Sequence, residues 1–259
     1  RNRYTVYLAE PAAAAEWLAP ARPGSVLAIG GSSAGIAAHL EELGNRVTIT
    51  SRKPAAVRSA CGRRPTFHGV AAAPDALPFL PCSFSAVLVA QGMHKLAPGL
   101  VLAEFARVLA PGGRLSVVAT VRDDSVPWVR RLAAIVRRYD PTLMSSADEA
   151  GAIIPASAHF PLVERRDFRR WVPITRDGML NLVSSAPSLA TLEISVAEPL
   201  LAEVAEVYDS SAPRSEPLLL PYAVRCSRAE VDHTELSIVL RLPEDGLQIS
   251  LQSPPERWA

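Results

Sequence analysis

The sequence predicts a doubly wound α/β fold on a parallel sheet, and three observations carry that prediction. Short apolar runs alternate with helix-period segments through the first two thirds of the chain. Small-residue turns join them. One run, residues 84–90, is apolar on both faces, as a strand covered by helices on each side must be. The chain has 259 residues, 49% hydrophobic and 20% charged, which fits one large globular domain with room for an appendage.

The elements follow in order. Residues 26–29 form a first strand that ends at Gly30-Gly31, and residues 34–43 a first helix. Gly44-Asn45 stops that helix, where a left-handed residue is expected. Residues 47–50 are a second strand, 54–60 a second helix and 66–70 a weaker third strand. The apolar run 84–90 is the fourth strand. A helix over 100–109, a Pro111-Gly112-Gly113 turn and a fifth strand over 115–119 complete the alternation. Beyond about residue 140 the pattern loosens into helices over 175–183 and 196–208 and a strand over 218–226. Strict alternation over 234–242 and 247–251, joined through Pro243-Glu244-Asp245-Gly246, reads as a β-hairpin. Two strands alone are marginally stable, so this hairpin is expected to pack on the main sheet or on another subunit. The predicted organisation is therefore a main domain over residues 1–227 and a C-terminal hairpin extension over 228–259.

Composition narrows the function. With 27 basic and 26 acidic residues, the net charge of +1 gives no electrostatic pull toward nucleic acid or an anionic membrane. Cys61, Cys82 and Cys226 stand too far apart for a disulfide framework or a cysteine zinc site, and no two histidines share a metal-ligand spacing. No metal is expected, and a reducing cytoplasm fits. The longest apolar runs are seven residues, far short of a bilayer span. The arginines around Arg165-Arg166-Asp167-Phe168-Arg169-Arg170-Trp171 read as a solvated strand. Those at Arg130, Arg131, Arg137 and Arg138 read as the outer face of an amphipathic helix.

Ligands of open α/β sheets bind beyond the carboxyl ends of the strands, where strand order reverses. Gly30-Gly31-Ser32-Ser33-Ala34-Gly35 falls there. One reading is a dinucleotide site: Gly30-x-Ser32-x-x-Gly35 keeps the outer glycine spacing, and Ser51-Arg52-Lys53 could receive a 2′-phosphate of NADP. A short-chain dehydrogenase would also need Tyr-x-x-x-Lys, and neither Lys53 nor Lys95 lies four residues after a tyrosine. NADP is the minor reading.

A longer stretch supports another. Phe67-His68-Gly69, the run Asp75-Ala76-Leu77-Pro78-Phe79-Leu80-Pro81-Cys82-Ser83-Phe84-Ser85, and Gln91-Gly92-Met93-His94-Lys95-Leu96 are followed by Glu104-Phe105-Ala106-Arg107-Val108-Leu109-Ala110-Pro111-Gly112-Gly113-Arg114-Leu115. Together they resemble the class I S-adenosylmethionine-dependent methyltransferases of the type-11, ubiquinone-biosynthesis-like group, from about residue 25 to 121 and more loosely to 226. The resemblance implies a Rossmann-like methyltransferase sheet and S-adenosylmethionine as cofactor. It places the cofactor against Gly30, Gly31, Ser32, Ala34, Gly35, Ser51, Arg52, Ala73 and Gln91. His94 falls where the family faces cofactor and substrate, as a general base or as a loop histidine without a role.

The same alignment of motifs exposes departures. The family's acidic residue before its glycines falls on Ala28, the acidic residue that grips the ribose diol on Ser51, the adenine-binding aspartate on Ala73, and another aspartate on Ser85. Ser32 and Ala34 replace glycines. A hydrogen bond to a charged group contributes about 1.5–3 kcal/mol, so losing two at the ribose removes roughly two to four decades of affinity. The expectation is a methyltransferase-like protein that is weakly active or non-catalytic and serves as a binding or assembly partner. It would pair with itself or with an active relative through the hairpin edge. The alternative is a working small-molecule methyltransferase, its acceptor beneath residues 142–171.

Overall fold

The computed structural model describes residues 12–93, 96–141, 154–186, 188–212 and 217–234. A helix α1 (Ala12–Leu18) leads into strand β1 (Ser25–Ile29), followed by a single 3-10 turn over Gly31–Ser33 and helix α2 (Ala34–Glu42). Next come β2 (Arg46–Ser51), α3 (Pro54–Arg63), β3 (His68–Ala71), β4 (Phe84–Ala90), α4 (Pro98–Val108) and β5 (Leu109–Arg122). The C-terminal part contains α5 (Pro127–Arg137), β6 (Val163–Ile174), α6 (Arg176–Ser184), α7 (Ile194–Ser211) and β7 (Leu218–Glu230). The seven strands form one sheet in the order β3-β2-β1-β4-β5-β7-β6. The first five are parallel neighbours, and β7 runs antiparallel to both β5 and β6. Strand order reverses between β1 and β4, which makes that boundary the switch point of the sheet.

Apolar alternation along the strands sends side chains to two cores. Val26, Ala28, Ile49, Leu88 and Val118 pack on one face with Leu18 of α1 and Ile36 and Leu40 of α2. Leu27, Val87, Val89, Leu115 and Val117 pack on the other with Val101, Leu102 and Phe105 of α4. A third cluster joins α5, α6 and α7 through Leu132, Met179, Leu200 and Val204, reaching Leu218 at the start of β7. Those helices sit on the β6–β7 arm, which runs four residues past the last β5 pair, Arg122↔Tyr222.

Most strands lie within a residue or two of their predicted places, and Gly44 is left-handed at φ +89°. β5 is longer than expected, because pairing with β7 carries it to Arg122. The predicted Pro111-Gly112-Gly113 turn lies inside its bounds: pairing jumps from Phe84↔Leu109 to Ala86↔Arg114, so residues 110–113 bulge out. Gly112 is at φ +74°, and a Cβ on Gly113 would stand 2.7 Å from the Ala110 carbonyl oxygen, so the bulge requires glycine at both positions. α1 carries no readable helical period; it is fixed instead by tertiary contacts. The Ser116 hydroxyl donates to Leu18 O at 2.8 Å, and Arg228 donates to Trp17 O at 2.6 Å while lying over its ring.

One C-terminal expectation changes. Residues 163–171, expected to belong to a cover over the acceptor, are part of the edge strand β6; its alternating exposed arginines agree with the solvated-strand reading. The helices packed at the cleft end of the sheet are α5, α6 and α7. The hairpin over 234–251 and residues 142–153 lie outside the described residues, apart from Thr234. Among the described residues, no helix is long and apolar enough to cross a membrane, and no group of three histidine, cysteine or acidic side chains could hold a metal ion.

Candidate functional site

A cleft of about 340 Å³ opens at the switch point, beyond the carboxyl ends of β1, β2 and β4. Ile29, Gly30 and Ser32 form one wall, Val89 to Gly92 and Leu96 another, and Ser51, Arg52, Lys53 and Pro74 the rim. This volume is within the range of small-molecule sites.

Backbone geometry builds the floor. Gly30 adopts φ +79°, ψ 153°, a conformation open to glycine alone, and its N–H donates to Thr50 O at 2.6 Å. Ser33 is fully buried; its hydroxyl donates to Ile29 O at 2.6 Å and accepts from Ala90 N at 2.9 Å, which pins the ends of β1 and β4 together. Ser32 donates to Ala90 O at 2.6 Å and closes the same junction from the cleft side. Across it, Gln91 is held at φ +56° by a bond from its N–H to Val118 O, and its side-chain amide reaches Thr120 O at 3.3 Å. A non-glycine residue in this region is strained, and such residues concentrate at ligand sites.

The rim is polar and cationic. The Ser51 hydroxyl accepts from Lys53 N at 3.2 Å, a local turn between β2 and α3. Arg52 pairs with Asp75 at 2.6 Å, bridging the end of β2 to the loop after β3. The Arg52 guanidinium holds the half-buried Asp75 carboxyl below its ordinary range. Behind the rim, Glu104 and Arg107 of α4 clamp the loop that carries Pro74. Glu104 accepts from Leu77 N at 2.7 Å and from Arg107, while Arg107 donates to the carbonyls of Leu77 and Phe79. The pair is half-buried, and both Arg107 and the Leu77 N–H lower the Glu104 pKa.

Of the residues the sequence singled out, Gly30, Ser32, Ser51, Arg52 and Gln91 meet in the cleft. Gly31 turns away from it: a Cβ there would lie 3.2 Å from the Ala56 Cβ, so its role is to admit the start of α3. Ala34 belongs to the buried core and Gly35 to the body of α2; neither lines the cleft. Ala73 bridges to Ala76, and its neighbour Pro74 takes the rim position. His94 lies outside the described residues. Two of the expected carboxylate positions do not line this cleft. Ala28 is fully buried among Val26, Ile49 and Leu88. Ser85 sits near the amino end of β4, its hydroxyl where a Cβ on Gly24 would go, about 17 Å along the strand from Ala90. Sequence reasoning missed Ser33, Pro74 and Leu96. Ser33 was hidden because a hydroxyl that stitches two strands leaves no periodic trace.

The fold and cleft define a doubly wound protein with a small-molecule-sized cleft at its switch point. Residues 27–117 match the family model described as a methyltransferase domain. The chain is 29% identical over 221 residues to an uncharacterized methyltransferase of Mycobacterium tuberculosis, covering 85% of this chain and 88% of that protein. An uncharacterized methyltransferase of Schizosaccharomyces pombe is 26% identical over 141 residues, 54% of this chain and 55% of that one. A solved structure from Anaeromyxobacter dehalogenans, described as a type II methyltransferase, superposes with TM-score 0.63 at 21% identity, covering 85% of this chain and 96% of its own. These likenesses are to methyltransferases, residues 27–117 match a methyltransferase domain, and the sheet has the Rossmann-like methyltransferase fold.

Proposed function

We propose that this chain is a methyltransferase-family protein whose cleft holds S-adenosylmethionine weakly, so that it is weakly active or non-catalytic and works mainly as a binding partner. One observation carries the reading: among the described residues, none that lines the cleft is a carboxylate, and two of them, Arg52 and Lys53, are cations. S-adenosylmethionine brings a sulfonium and an ammonium against a single carboxylate, so a cationic rim opposes it. Its ribose diol would meet Ser51, whose oxygen already accepts from Lys53 N and which offers one donor in place of a charged double acceptor. The glycine-to-serine change at Ser32 adds a side chain that is turned to Ala90 O, which leaves its oxygen as a further weak acceptor. The residues present do not fit the cofactor well.

Calorimetric titration tests this. S-adenosylmethionine and S-adenosylhomocysteine are expected to bind no more tightly than the high-micromolar range; low-micromolar binding would overturn the reading and favour a working small-molecule methyltransferase. The partner role extends to self-pairing or pairing with an active relative through residues 234–251. Light scattering on the chain with and without that segment checks it, and a monomer in both cases would count against it.

A further inference from the structure

We propose that the cleft selects a nucleoside whose ribose carries a phosphate. The inference rests on the reading above only in taking the cleft as a ligand site, and it assigns the ligand's charge. In doubly wound folds the residue at the end of the second strand meets the ribose: an acidic residue there accepts from the free diol, whereas an arginine beside it accommodates a ribose phosphate. Here the end of β2 presents Ser51, Arg52 and Lys53 to the cleft, and no acidic residue among the described residues lines it. Because the Ser51 oxygen accepts from Lys53 N, its hydroxyl hydrogen is left to donate outward, which suits an acceptor oxygen. Lys53 makes no ion pair among the described residues. Arg52 is fixed in place by Asp75, so one guanidinium edge is spent on a carboxylate while the residue still lines the cleft. The rim also stands at the start of α3, whose first turn contains no acidic residue and whose positive end faces the same way. Asp75 opposes an incoming anion, which makes it the internal competitor for Arg52.

The test is calorimetry on the full chain with adenosine 2′,5′-bisphosphate, its 3′,5′ isomer, adenosine 5′-monophosphate, inorganic phosphate and S-adenosylhomocysteine. One of the two bisphosphates is expected to bind at least about tenfold more tightly than the monophosphate, and its affinity to fall with added salt. An Arg52→Gln/Lys53→Gln double variant is expected to erase that difference while leaving the melting temperature in place, since both side chains are exposed. An Asp75→Asn variant is expected to tighten the favoured bisphosphate by freeing Arg52. Equal affinity for bisphosphates and monophosphate would overturn the proposal. So would inorganic phosphate binding as tightly as the bisphosphate, or a double variant that keeps the discrimination. Weak S-adenosylhomocysteine binding together with equal nucleotide affinities would sink this inference and leave the proposed function standing.

Discussion

Behind the cleft and in front of it, the same chain treats charge in opposite ways. The Glu104–Arg107 clamp is half-buried, and its bonds to Leu77 and Phe79 tie α4 to the loop over those residues. At the Ser51-to-Lys53 rim Arg52 and Lys53 are exposed, and its side chains bond locally, Ser51 to Lys53 N and Arg52 to Asp75. The first carries the stretch that most resembles the methyltransferase family, and it explains that stretch as scaffolding: the glutamate and arginine hold the loop that carries Pro74. The second carries the departures from the family. The lesson is that motifs which identify this fold report on what folding needs, and they say little about what the ligand needs.

Variants can break or sharpen that contrast. The largest effect is expected behind the cleft at Phe105, which is fully buried between α4 and the sheet: Phe105→Ala should cost about 3–5 kcal/mol in denaturant unfolding. A loss below about 1 kcal/mol would mean that α4 is not the anchor described here.

Next comes Glu104→Gln, which keeps the shape of the side chain and removes its charge; about 1–3 kcal/mol of stability should be lost. Its pH dependence has a definite sign. The folded-state pKa of Glu104 lies below its ordinary 4.5, so the clamp stabilises fully above that value and weakens as pH falls through the lowered one. Chemical unfolding across acid pH should show the wild-type advantage over Glu104→Gln shrinking below about pH 4.5; a constant difference down to pH 3 would contradict the clamp.

At the cleft wall the effect should reverse. Gln91→Gly relieves a left-handed backbone and should stabilise by about 1 kcal/mol, seen as a rise in melting temperature. A fall would mean that the bond from Gln91 to Thr120 O outweighs the strain. The smallest effect belongs to the rim: Arg52→Ala removes an exposed ion pair and should change stability by less than about 1 kcal/mol.

Much of the sheet was legible in the sequence because its strands are continuous apolar runs punctuated by glycine, and Gly30, Gly44 and Gly112 do adopt the backbone that only glycine takes easily. What was not legible came from long-range contacts. β5 outruns its apolar core because β7 pairs with it, and α1 is held by Ser116 and Arg228 from distant strands. At the site, the positions beside the strand ends were readable, but spacing alone could not say which way a side chain turns. Gly31, Ala34 and Ala28 are near the cleft in sequence and face α3 or the core in space. Ser85 was counted with the ligand positions although it lies toward the other end of β4.

The central claim is that a missing negative charge at the end of β2 weakens the grip on the cofactor's sugar. Restoring it is the most direct trial: Ser51→Asp, titrated with S-adenosylhomocysteine beside the parent chain. A gain of at least about tenfold, equivalent to 1.4 kcal/mol, is the predicted result. An unchanged affinity in a variant that melts like the parent would contradict the account.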